Sequence, residues 1–142
     1  MNDCKLYLKI SLEALCCFLV LCWSMSLSYI ECIWMETMAF YLLSIYESYR
    51  YSSKTHINVT TVAMSLIIGR VIVEIPIRLF DIHGTLWSFP ITLSNIVAII
   101  MGSICVKKKF NFLHILITLI ILYVVNILNI HIIPEWISSF GK

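Results

Sequence analysis

The chain has 142 residues, 61% of them hydrophobic and 13% charged, with a formal net charge of +2. A soluble domain carries about 25% charged residues, so this composition excludes a globule that covers its own core with polar surface. The slight positive balance gives no sign of a nucleic-acid partner, and the basic residues matter through where they stand.

Ala14 to Ile30 runs 17 residues without Asp, Glu, Lys or Arg, and Ile82 to Val106 and Phe110 to Pro134 run 25 each. Crossing the ~30 Å hydrocarbon layer takes about 20 mainly apolar residues. The expectation is therefore an all-α integral membrane protein: one polytopic domain over residues 1–142, folded as a compact bundle of about five helices with four or five spans. The bilayer is then its solvent, in a cytoplasmic or inner membrane.

The first helix is expected over residues 10–29. Lys5 and Lys9 precede its apolar run and small residues follow in SMSLS, a pattern shared with signal peptides. Glu13 and the further apolar stretch behind it favour a retained helix. The second helix is expected over 33–49. A single straight helix from 10 to 49 would be about 60 Å long and would push Phe40, Leu42, Leu43 and Ile45 into water. The chain is therefore expected to fold back near Ser28 to Cys32. Arg50 to His56 then reads as a polar connector, and Asn58-Val59-Thr60 as a chance match to a glycosylation sequon.

Helices at 57–80, 86–106 and 110–133 complete the set. Pro90 is tolerated in a first turn, Trp87 suits the interface, and Pro134-Glu135-Trp136 reads as the end of the last helix. Counting Lys and Arg in the short connectors gives the orientation. With the fold-back, Lys5, Lys9, Arg50, Lys54 and Lys107 to Lys109 share the cytoplasmic face, with five spans and Lys142 opposite. Four spans with a tilted second helix would put both termini outside. Either way connector 81–85 lies outside and connector 107–109 inside.

The third helix carries a ladder of Arg70, Glu74, Arg78 and Asp81 within an arc of about 80°, alternating in sign, each within a turn of the next. Eleven Leu, Ile, Val and Phe residues between Val62 and Phe80 favour insertion by about 5 kcal/mol. Arg70 near the centre opposes it by roughly 2.5–3.5, with smaller costs for Glu74 and Arg78. The sum is near zero, so the ladder needs internal pairing and neighbouring helices. It reads either as a polar site opening outward or as ion pairs that fix helix register. His83 falls on the opposite face, and Pro76 is expected to kink the helix.

Small residues recur every four positions at Thr61, Ser65 and Gly69, and again at Ser94, Ala98 and Gly102. Such stripes let helix backbones approach closely. Because the stripe on the third helix lies nearly opposite the ladder, this helix is expected to have protein on two sides. Asn95, His114, Thr118, Asn126 and Asn129 are candidates for polar contacts between helices.

The six cysteines, Cys4, Cys16, Cys17, Cys22, Cys32 and Cys105, include no C-x-x-C pair and read as small core residues. The histidines are too scattered for a metal site, and no phosphate loop, H-E-x-x-H or G-x-S-x-G occurs. No catalytic residue, metal or cofactor is assigned. Three functional classes follow. The first is a non-catalytic accessory or assembly subunit whose partner is another membrane protein or a second copy. The second is a carrier or channel-like protein using the ladder. The third is a membrane-embedded enzyme or thiol-redox partner.

Overall fold

The computed structural model describes residues 4–13, 29–55, 57–79 and 85–140. Among them are five helices and no strand: α1 over residues 4–13, α2 over Tyr29–Thr55, α3 over Val59–Leu79, α4 over Thr85–Lys107 and α5 over Phe112–Phe140. The expected helical bundle is present, with several boundaries moved.

α2 carries helix through the stretch expected to be a connector. No Gly or Pro interrupts residues 29–55, and polarity by itself does not stop a helix. Tyr51, 5% exposed, anchors that last stretch in the core. The chain restarts at Asn58, whose Oδ1 accepts from Thr60 N at 3.1 Å. This N-cap satisfies one of the four orphan donors of α3, which gives the sequon asparagine a structural job.

α3 continues past Pro76. α5 continues past Pro134, which was expected to end it. Proline removes one backbone hydrogen bond, whereas ending a helix in an apolar setting strands several carbonyls. The fold-back expected at Ser28 to Cys32 lies in part outside the described residues. By residue 29 the chain is already in α2.

The turn between α4 and α5 is tight. Phe110 N donates to Cys105 O at 3.0 Å and Lys109 N to Val106 O at 3.0 Å, the paired bonds of a Schellman cap. Lys109 and Phe110 both sit in the left-handed region, with φ of 55° and 54°, where a side chain opposes the backbone. Asn111 then caps α5, its Oδ1 accepting from Leu113 N at 3.0 Å.

α4 is the centre of the bundle, packed on α2, α3 and α5. α3, expected to have protein on two sides, either at the centre of the bundle or shared with a second subunit, packs on α4 and α2. The described buried residues of α3, Val62, Ala63, Ser65, Leu66, Gly69 and Arg70, fall in one arc of about 160°. Met64, Ile68, Val71, Ile72 and Ile75 face outward. Gly69 of the small-residue stripe and Arg70 of the ladder are consecutive and both lie on this inner face. Protein therefore covers one side of the described part of α3.

Each of the five helices contributes to the core, from Leu6 and Ile10 on α1 to Leu122 on α5. The C-terminal end of α2 and the α4–α5 turn lie at the same end of the bundle, where the Tyr49 and Phe110 rings are 6.2 Å apart. At the other end the Trp34 and Tyr123 rings approach to 5.7 Å.

Candidate functional site

The inner face of α2 is polar. Ile33, Glu36, Thr37, Phe40, Tyr41, Ser44, Glu47, Ser48 and Tyr51 are buried, and at 100° per residue they form one stripe about 140° wide. Met35, Met38, Leu42, Tyr46 and Tyr49 point the other way, exposed by 39–59%. The helix is amphipathic with its polar side inward, the reverse of a helix on a soluble protein. Its polar groups meet those of α4 and α5 in successive layers.

Deepest, toward the Trp34 end, Asn95 Nδ2 donates to Glu36 Oε2 at 2.9 Å and Thr37 Oγ1 donates to Asn126 Oδ1 at 3.2 Å. Asn129 Nδ2 donates to Ser94 Oγ. These six residues are 0–2% exposed, and Arg70 of α3 is 1% exposed. Asn95 Oδ1 and Asn126 Nδ2 are buried without a hydrogen-bond partner.

In the next layer Tyr41 Oη lies 2.9 Å from Thr118 Oγ1 and 3.2 Å from Cys105 Sγ, and those two groups are 3.3 Å apart. Cys105 is thus a member of a hydrogen-bonded triangle, which its reading as a small core residue did not include. Below it Ser44 Oγ donates to Ile99 O at 2.6 Å and lies 2.9 Å from Ser103 Oγ, which is also 3.3 Å from Ser48 Oγ. This is where Gly102 sits. A Cβ there would stand 2.6 Å from Tyr41 O, so the Ser94, Ala98 and Gly102 stripe meets protein of the same chain.

At the cationic end, Arg50 Nη1 lies 3.6 Å from Glu13 Oε1 and 3.6 Å from Glu47 Oε1, and Lys9 Nζ is 4.0 Å from Glu13 Oε1. The Glu47 carboxylate raises the Arg50 pKa, and burial raises that of Tyr51. Nearby, Ser11 Oγ donates to Ser65 O at 3.0 Å, so the Thr61, Ser65 and Gly69 stripe receives α1.

Of the ladder, Arg70 is placed in the core. The side chains of Glu74 and Arg78 lie outside the described set, as do Asp81 and His83 altogether. Asn95, Thr118, Asn126 and Asn129 are all buried in the layers above, while His114 is half-buried with Nδ1 lacking a hydrogen-bond partner. Sequence reasoning missed Glu36, Thr37, Tyr41, Ser44, Glu47, Ser48 and Ser103. A signal existed: the polar residues of α2 repeat with helical period, as a stripe rather than as scatter.

Among the described residues no group of three or more His, Cys, Asp or Glu could hold a metal ion. The layers join α2, α4 and α5 through side-chain hydrogen bonds. Against protein families, curated proteins and solved structures alike, the chain shows no match.

Proposed function

We propose that this chain is a multi-pass membrane protein, a non-catalytic accessory or assembly subunit that works through its outward helix surface. By length and composition, one helix among the described residues can cross a membrane: Phe112–His131, with a mean hydropathy of 2.3. The apolar parts of α3 and α4, Val59–Ile72 and Thr92–Lys107, are shorter.

The observation that carries the reading is the inverted burial. Only 22% of the Phe112–His131 window is buried, whereas a core helix of a soluble protein would be mostly buried. Leu116, Ile117, Leu119, Ile120, Tyr123, Val124 and Leu128 face out while Thr118, Asn126 and Asn129 face in. The same reversal on α2 accounts for its modest mean hydropathy, because Glu36, Ser44 and Glu47 lower the average while buried inside. Polar groups inside and apolar groups outside suit a hydrocarbon solvent.

Five spans are favoured over four. Glu13 contacts Arg50 at one end of α2, and α2 itself runs 27 residues, about 40 Å, long enough to cross the hydrocarbon layer. α2 also packs along α4 as a full member of the bundle. Lys5, Lys9, Arg50 and Lys107 to Lys109 are then cytoplasmic by the positive-inside rule.

The accessory role is supported by the mutual hydrogen bonding of Tyr41, Ser44, Ser48, Ser103, Cys105 and Thr118, which fills the cationic half of the interior. A second reading, a carrier with a polar site, is favoured by the buried Arg70 and by a layer in which Asn95 Oδ1 and Asn126 Nδ2 lack hydrogen-bond partners. Such atoms usually bind water or a ligand. Alkaline carbonate extraction tests the membrane reading, and release of the chain into the soluble fraction refutes it. Labelling of Lys108→Cys from the cytoplasmic side tests orientation. Co-purification under mild detergent tests the accessory role, which a strictly monomeric, partner-free protein would sink. Solute flux abolished by Arg70→Ala in proteoliposomes would select the carrier.

A further inference from the structure

We infer that the groove between α1 and α2 is a binding site for a zwitterionic phospholipid whose headgroup ends in a primary ammonium, as in phosphatidylethanolamine. The inference rests on the membrane reading above. The groove, about 680 Å³ in volume, is lined by Lys5, Leu8, Lys9 and Leu12 of α1 together with Glu13, and by Leu43, Tyr46 and Glu47 of α2. Small-molecule sites span roughly 300–1,000 Å³.

The charges are arranged in two parts. Glu47 is 3% exposed, and its Oε2 is buried without a hydrogen-bond partner, as is Glu13 Oε2. The other oxygen of each carboxylate faces Arg50. The two carboxyl groups also lie against each other, and such an acidic pair on one side of a groove is bridged by a compact donor with several N–H groups, which a primary ammonium supplies. Lys5 and Lys9, both exposed on α1, offer charge for the phosphate of the same headgroup.

The walls select a lipid over a free amine. Leu8, Leu12 and Tyr46 are exposed by 61%, 50% and 59%, and they run into the outward apolar surface of α2. That surface would lie against acyl chains, with the charged mouth at the cytoplasmic interface. Phosphatidylcholine has the same net charge but a quaternary ammonium, which has no N–H to donate. Phosphatidylglycerol lacks the cation and would meet two carboxylates.

The full chain, purified in detergent, is equilibrated with equimolar phosphatidylethanolamine, phosphatidylcholine and phosphatidylglycerol of identical acyl chains, and retained lipid is read by native mass spectrometry. The expected result is about tenfold preference for phosphatidylethanolamine over phosphatidylcholine, the worth of a charge-assisted hydrogen bond. Glu47→Gln and Glu13→Gln are each expected to bring that ratio toward one, with the helical circular dichroism retained. Equal retention of the two zwitterionic lipids by the native chain overturns the inference, and because it needs no variant it stands whether or not the variants fold. So does preference for phosphatidylglycerol, which would mark a simple cationic patch, or displacement by free phosphoethanolamine at equal concentration. Failure of the membrane reading is a different result: a chain that stays dispersed without detergent.

Discussion

Gly102→Ala adds one methyl group at a close contact between α2 and α4. Its carbon would stand 2.6 Å from the Tyr41 carbonyl oxygen, 2.9 Å from Ser44 Oγ and 3.0 Å from Ser44 Cβ. The nearest obstacle is backbone, which cannot swing aside as a long side chain can. Reaching ordinary contact, from 2.6 to 3.4 Å, moves α4 away by about 0.8 Å. That retreat strains the Ser44 bonds to Ile99 O at 2.6 Å and to Ser103 Oγ at 2.9 Å. Overpacking costs about 1–3 kcal/mol, and interhelical hydrogen bonds in a membrane average about 0.6 kcal/mol each. The expected loss is therefore about 2–4 kcal/mol. It is read as a shifted midpoint when purified protein is unfolded from mild detergent by added dodecyl sulfate, followed by circular dichroism. Ile100→Ala, two positions away on the outward side and 39% exposed in the native chain, is the control and should change stability by less than about 0.5 kcal/mol. If Gly102→Ala behaves like the control, the close approach of these helices is wrong.

The same assay checks the remaining expectations. Lys109→Gly relieves a left-handed residue with φ of 55° and should stabilise the fold by about 1 kcal/mol, whereas Lys109→Ala keeps the Cβ and should not. Asn58→Ala removes the N-cap bond to Thr60 N and should destabilise by about 1 kcal/mol; unchanged stability would show that α3 does not depend on it. Tyr41→Phe deletes a hydroxyl bonded to both Thr118 and Cys105 and should lower stability by roughly 0.6–1.7 kcal/mol. Glu36→Ala leaves Asn95 Nδ2 without its acceptor at a position 0% exposed, for about 1–3 kcal/mol. Its effect should be less than additive with Asn95→Ala, and full additivity would mean that the two groups do not interact.

Much of the element order is legible in the linear chain. Apolar runs bounded by charge place α4 and α5, and the small-residue stripes lie on buried faces, because helical period relates neighbours three and four apart without reference to anything else. Where reading fell short, the cause is specific. The RYSSK segment was read as a connector because it is polar, yet nothing in it breaks a helix, and Tyr51 holds it in the core. The Pro134 stop failed because a proline removes one bond while a helix end leaves several groups unsatisfied.

The inner character of α2 is the larger lesson. Residue types along residues 29–55 determine that one face is polar and the other apolar, but a periodic stripe has no intrinsic inside or outside. That choice follows from which face α4 and α5 present in return. Asn95, Ser103, Cys105, Thr118 and Asn126 come from segments 50 or more residues away from their partners on α2, and only their convergence turns Glu36, Tyr41 and Ser44 inward. Chain composition thus decided the helical class and the elements. Tertiary packing decided which polar groups meet, because hydrogen bonds between helices depend on register and facing, and neither is written in any single segment.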